Sequence, residues 1–150
     1  MKNRSTAAAA LGLIALVALP AGCPDGGIFL PIGNVVRVII VNSSALNVLP
    51  DIRFDNDTSF LAGLFPSERL TTGTLLPAER FNRLIDCEQL GSIFSNDSEQ
   101  DVGGVLVTAD ESRVLERDND FSCGDTIEFM FIGEGDTFGV VVSVNGVVVD

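Results

Sequence analysis

The stretch TIEFMFIGEGDTFGVVVSVNGVVV, residues 126–149, decides the fold. Its two longer runs, 126–132 and 138–144, are rich in Phe, Val and Ile, which are the residues that strands favour. The Gly-Glu-Gly-Asp segment between them predicts a turn. Asn145 and Gly146 form the dipeptide most typical of a two-residue type I′ turn. The stretch therefore predicts a hairpin followed at once by a tight reversal into a third strand.

Similar short runs occupy the chain upstream, and turn residues separate them at intervals of about 8–12 residues, a spacing typical of sandwiches and barrels. No segment shows the period of a long amphipathic helix. We therefore predict an all-β fold in residues 35–150, a two-sheet antiparallel β-sandwich of about seven to nine short strands. The predicted core consists of alternating apolar residues from these runs: Val36, Val38, Ile40, Ile52, Phe54, Phe81, Ile85, Leu106, Ile127, Phe129, Phe131, Val140, Val142 and Val144.

Three upstream regions carry more specific expectations. Residues 35–41 are almost entirely apolar, which predicts a central strand. Residues 48–54 alternate but contain Pro50, which has no backbone donor and therefore predicts an edge strand. Residues 102–109 and 113–117 are predicted to pair as a hairpin.

The beginning of the chain has the pattern of an export signal. Lys2 and Arg4 form a basic start, and the apolar run 7–19 follows them. Its 13 residues are too few for a helix that spans a bilayer, which needs about 20. Small residues then lead to Cys23, as they do before a signal-peptide cleavage site. We predict that residues 1–22 are a signal peptide removed on export.

The segment LPAGC, residues 19–23, resembles the lipobox of bacterial lipoproteins. The resemblance implies that Cys23 is diacylated and becomes the mature N-terminus, which anchors the protein to a membrane of the cell envelope. Pro20 departs from the family pattern, which has Leu or a similar residue there. Ordinary signal-peptidase cleavage after Ala21 or Gly22 is the alternative, and it would give a soluble periplasmic or secreted protein.

Residues 23–34 combine the lipidated cysteine with a segment rich in Gly and Pro, so we expect a flexible tether there. The predicted organisation is a signal peptide in residues 1–22, this tether, and a β-sandwich domain in residues 35–150.

Charge and missing residue types limit the possible functions. Removal of residues 1–22 takes away Lys2 and Arg4 and leaves seven arginines against 21 acids, a net charge of −14. Such a surface repels nucleic acid, so we expect no nucleic-acid partner. The chain has no His and no Lys after Lys2, which excludes a Ser-His-Asp or Cys-His nucleophile and a lysine Schiff base. We predict a protein that is not an enzyme. The remaining catalytic alternatives are a dithiol and a carboxylate pair. Candidates of suitable type for the carboxylate pair are Glu79, Asp86, Glu111 and Glu128.

Two cysteines remain in the predicted domain, Cys87 and Cys123. An even number of cysteines in an exported protein indicates a disulfide. The pair lacks the C-x-x-C spacing of redox-active thiols. We therefore predict a structural disulfide between Cys87 and Cys123.

Three acidic loops contain alternating oxygen donors, as calcium-binding loops do. The loops lack the Gly and Glu positions of an EF-hand, and β-turns favour the same Asp and Asn residues. We therefore predict no cofactor and no metal site, with calcium as the alternative. The residues that would bind it are Asp55, Asp57, Asp97, Asp101, Asp118 and Asp120.

These observations predict an exported cell-envelope protein, anchored through its N-terminal lipid, that acts as a non-enzymatic binding or structural module. The alternative is a β-sandwich that binds calcium or a small ligand, as an adhesion or recognition module does. The membrane is the one partner that the residues indicate.

Overall fold

The computed structural model describes residues 33–56 and 68–149. Regular structure in these residues is β-strand apart from two 3-10 turns, Cys87–Gln89 and Gly135–Thr137. The all-β prediction is confirmed, and the mainly antiparallel sheets, which do not close into a barrel, are consistent with the predicted sandwich. The strands are β1 (Val35–Asn42), β2 (Val48–Leu49), β3 (Ile52–Asp55), β4 (Glu68–Leu70), β5 (Arg80–Asp86), β6 (Ser92–Ser95), β7 (Glu99–Val102), β8 (Val105–Thr108), β9 (Leu115–Glu116), β10 (Thr126–Ile132), β11 (Gly139–Val144) and β12 (Val147–Val148).

The five-stranded sheet contains the C-terminal stretch, in the order β12-β11-β10-β1-β5. Antiparallel pairing of β10 with β11 confirms the predicted hairpin, and β12 pairs antiparallel with β11. Asn145 and Gly146 have φ angles of 51° and 79°, which the type I′ turn requires at both central residues. The local chemistry of this turn therefore fixes the reversal.

β1 is the central strand that its apolar sequence predicts, since it lies between β10 and β5. It pairs antiparallel with β5 but parallel with β10. A parallel pair needs a long crossover connection, and here the described chain between β1 and β10 forms β5 and the strands of the other two sheets. The sheet is thus mixed, and this one pair departs from the antiparallel expectation.

Two smaller sheets complete the domain, one in the order β4-β3-β6-β9 and one in the order β2-β7-β8. The described residues therefore form three sheets, whereas the predicted sandwich has two. The predicted strand 48–54 is divided at Pro50, so that β2 and β3 belong to different sheets. The edge-strand prediction is wrong for β3, which lies between β4 and β6. Next to the proline, the Asp51 N–H donates to Ser98 Oγ at 2.8 Å instead of joining a ladder.

The predicted pairing of 102–109 with 113–117 is also wrong. β8 pairs with β7 across Gly103 and Gly104, whereas β9 pairs with β6. Both glycines have positive φ, which a two-residue hairpin turn requires and which glycine adopts without strain.

The core lies between the inner faces of the sheets. Its largest fully buried side chains include Phe129 and Phe131 of β10 and Ile40 of β1. Every predicted core residue is buried or packs partly buried against the core, except Leu106. The core prediction is wrong for Leu106, which lies on the edge strand β8 and is 59% exposed.

Candidate functional site

A disulfide joins Cys87 and Cys123, with 5.7 Å between their Cα atoms. Cys87 directly follows β5, and Cys123 lies three residues before β10. These two strands are the neighbours of β1 on either side. The bond therefore links the two strands that flank the first strand of the domain.

Backbone hydrogen bonds hold the start of β1 at the same place. The Cys87 N–H donates to the Asn34 carbonyl at 2.8 Å, and the Gly124 N–H donates to the Val35 carbonyl at 2.9 Å. On the next residue pair, the Arg37 N–H donates to the Asp125 carbonyl at 2.9 Å. We call the disulfide together with these three hydrogen bonds the clasp. It fixes the position at which the chain enters the domain.

Two of the calcium candidates form ion pairs with nearby arginines. The Asp120 carboxylate binds the Arg113 guanidinium and also accepts the Glu116 N–H at 2.9 Å. Asp118 lies 3.8 Å from the Arg117 guanidinium. The acidic side chains of this loop therefore stabilise the local turn.

The other calcium candidates are distributed over the fold. Asp101 accepts the Gly104 N–H at 2.7 Å and so stabilises the β7–β8 turn. Asp97 accepts from the Asn96 side chain at 3.2 Å, and Asp55 lies in β3. Asp57 lies outside the described residues. Within residues 33–56 and 68–149, no three Cys, Asp or Glu side chains form a group that could hold a metal ion.

The carboxylates considered for catalysis lie at separate positions. Glu79 accepts the Leu76 N–H at 2.8 Å just before β5, and Asp86 accepts the Glu88 N–H at 2.9 Å at the end of β5. An extended strand of this length separates the two by about 20 Å, beyond the roughly 5–9.5 Å of paired glycosidase carboxylates. Glu128 is 3.5 Å from Arg80, and Glu111 lies on an exposed loop.

A buried carboxylate that the sequence analysis did not single out is Asp51. Its Oδ1 accepts from Arg53 Nε at 2.7 Å and pairs with Arg69 Nε at 2.8 Å. Burial alone raises the pKa of Asp51, but hydrogen bonds from Arg53 and Asn96 and the charge of Arg69 outweigh burial, so the pKa lies below its ordinary value. The same hydrogen bond raises the pKa of Arg53. The Asp-x-Arg spacing at 51 and 53 indicates the ion pair between these two residues. The pair with Arg69 has no such local signal, because Arg69 belongs to β4.

The outer edge of β5 is flanked by two cavities. One, of about 300 Å³, lies between β4 and β5 and is lined by Phe54, Phe81 and Arg83, among others. The second, of about 340 Å³, is lined by Arg37, Asn82, Arg83 and Leu84. Both volumes are at the lower end of the range of ligand pockets.

Arginines are concentrated near this edge in an otherwise acidic protein. Arg80 and Arg83 belong to β5, and Arg37 is the partner of Leu84 on the adjacent strand. Neither Arg37 nor Arg83 forms an ion pair with the part of the chain that the structure describes. A sequence signal existed here, because Arg83 interrupts the apolar alternation of Phe81 and Ile85. Inward-facing charges of this kind mark edge strands.

The described residues contain no helix with the length and apolar character needed to cross a membrane. Comparison with protein-family models, curated proteins and solved structures finds no match to this chain.

Proposed function

We propose that this protein is an exported binding module, anchored to a membrane of the cell envelope through a lipid on Cys23. The observation that carries the proposal is the lipobox-like segment at residues 19–23 after a basic start and a short apolar run. The Cys87–Cys123 disulfide supports export, because such bonds persist in oxidising compartments.

Binding is favoured over catalysis by the available side chains. The chain has no His, and its one Lys precedes Cys23, so the usual general bases and nucleophile partners are missing. The β5 edge, by contrast, combines two adjacent cavities with Arg37 and Arg83, which form no ion pair within residues 33–56 and 68–149. Arginine presents a planar fork of donors that suits carboxylates.

Mass spectrometry of the protein expressed in a bacterium tests the anchoring. We expect a mature chain that begins at Cys23 and carries the mass of the added acyl chains, and that partitions into detergent. The variant Cys23→Ala should lose both properties. A mature chain that begins with an unmodified residue, or that retains residues 1–22, would contradict the proposal.

The double variant Cys87→Ser/Cys123→Ser is the matched control, because it removes two other cysteines and leaves the lipobox-like segment intact. We expect it to partition into detergent as the wild type does. Loss of detergent partitioning in this variant would show that the anchor does not depend on Cys23 alone.

A further inference from the structure

We propose that the outer edge of β5 binds an extended acidic segment of a partner protein by strand addition. This inference rests on the proposed binding function and specifies the surface and the class of partner. Three observations carry it: the direction of the β5 backbone groups, the position of the two cavities, and the arginines that have no described ion-pair partner.

The hydrogen-bond pattern shows which β5 backbone groups point outward. At one end of β5 the Cys87 N–H donates to the Asn34 carbonyl, just before β1, and at the other end the Asn42 N–H of β1 donates to the Glu79 carbonyl. The odd-numbered residues between Glu79 and Cys87 therefore face β1 in this antiparallel ladder. Arg80, Asn82 and Leu84 therefore direct their N–H and C=O groups away from β1. Within the described residues, β1 is the one strand that pairs with β5. The opposite edge is a ready template for another strand.

The two cavities lie where alternate side chains of an added strand would lie. Phe81 lines the cavity on the core side of the β5 edge, and Asn82 lines the cavity on the outer side. Successive residues of a strand point to opposite faces, so an added strand would place one side chain in each cavity in turn. Main-chain bonds give affinity and such pockets give specificity in strand addition.

The positive charge of Arg37 and Arg83 favours an acidic partner segment. Arg37 lines the outer cavity and Arg83 lines both, and a carboxylate can bind either guanidinium through two parallel hydrogen bonds. On the core side, Leu70 and Phe81 contribute apolar side chains to a cavity that Glu68 also lines. The partner segment is therefore one in which acidic residues alternate with apolar residues.

The test uses a peptide of about eight residues, a typical strand length, in which Glu and Val alternate, and a second peptide with Lys in place of Glu. Each is titrated into the ¹⁵N-labelled full chain at about 0.15 M salt, where distant charges are screened. We expect the Glu peptide to bind at least about tenfold tighter than the Lys peptide, a difference of about 1.4 kcal/mol. We also expect the exchange of the Asn82 and Leu84 amides to slow when the Glu peptide is bound.

Two variants localise the binding. Leu84→Pro removes an outward N–H without removing a bond to β1, and Arg37→Glu/Arg83→Glu reverses the charge. Both should weaken binding of the Glu peptide at least tenfold. The control is Leu106→Pro on the open edge of β8, where the residue pairs with Asp101 at a site that does not bond to β7. It should leave the affinity unchanged.

Several results would overturn the inference: equal binding of the two peptides, unchanged exchange at Asn82 and Leu84, or full affinity in Leu84→Pro. Protection of these amides that appears with protein concentration alone would also overturn it, because a second copy would then occupy the edge. Acylation of Cys23 is measured in a separate experiment. Failure of the peptide experiment would therefore not contradict the proposed membrane anchor.

Discussion

The side chain of Gln100 holds the turn at Gly133 through both ends of its amide. Its Nε2 donates to the Gly133 carbonyl at 3.2 Å, and its Oε1 accepts the Gly135 N–H at 3.0 Å. Gln100 is fully buried in β7, whereas the turn joins β10 and β11. One polar side chain thus connects the three-stranded sheet to the five-stranded sheet.

Replacement of Gln100 by Leu should destabilise the domain. The change leaves the half-buried Gly133 carbonyl and Gly135 N–H without their partner, and each lost hydrogen bond costs about 0.5–1.5 kcal/mol. Urea unfolding followed by circular dichroism measures the loss. The control Gln89→Leu, at an exposed position, should lie within about 0.5 kcal/mol of wild type. Equal stability of the two variants would contradict the role of Gln100.

Gly133→Ala should be more destabilising than Gly135→Ala. Both glycines have positive φ, but a Cβ on Gly133 would overlap the Thr137 carbonyl oxygen, whereas one on Gly135 would meet no atom within 4 Å. We expect a loss of about 1 kcal/mol for Gly135→Ala from the strained φ alone, and a clearly greater loss for Gly133→Ala. Thermal unfolding of the two variants checks the order, and a reversed order would show that the turn adapts.

The Asp51 carboxylate should make the free energy of unfolding depend on pH. Its pKa is lower in the folded protein than its ordinary value, which is about 3.9. The contribution is therefore complete above about pH 4 and is lost as the pH falls through the folded-state pKa. Urea unfolding from pH 7 to pH 2 should show this loss for the wild type and a flatter dependence for Asp51→Asn.

At pH 7, Asp51→Asn should cost about 1–3 kcal/mol, because Arg53 and Arg69 lose their charged partner. The exposed control Asp110→Asn should change stability by less than about 0.5 kcal/mol. An acid dependence of Asp51→Asn equal to that of the wild type would show that other groups account for it.

Loss of the disulfide should destabilise the domain by about 2–5 kcal/mol. The bond closes a loop with a sequence separation of 36 residues. Urea unfolding of Cys87→Ser/Cys123→Ser measures the effect, and the wild type under reducing conditions should match the variant. The amides of Arg37 and Gly124 should show the greatest increase in hydrogen exchange, since they bond within the clasp. A uniform increase over all strands would instead indicate a purely global effect.

The sequence predicts those parts of the fold that depend on neighbouring residues. The hairpin of β10 and β11 and the turn at Asn145 and Gly146 follow from local composition, and alternation identifies nearly all of the core. Gly103 and Gly104 are an equally local turn signal, and they predict the β7–β8 hairpin.

The local sequence does not predict which distant strands pair with each other. Nothing near β1 indicates that β10 will lie parallel to it, because that choice depends on how the intervening chain packs. Pro50 signals an interruption but not that the chain changes sheet there. For the candidate site, Arg83 marks a possible edge, yet its significance depends on knowing that β5 is the last strand of its sheet.

The clasp has a mechanical consequence. A pulling force applied through the residues before Asn34 reaches the domain at its central strand, not at a peripheral one. The Cys87–Cys123 disulfide joins β5 and β10, the two strands that flank β1, beside that point. A force applied at the N-terminal end of β1 is therefore distributed over β1, β5 and β10 together, and β1 does not separate from one neighbour first.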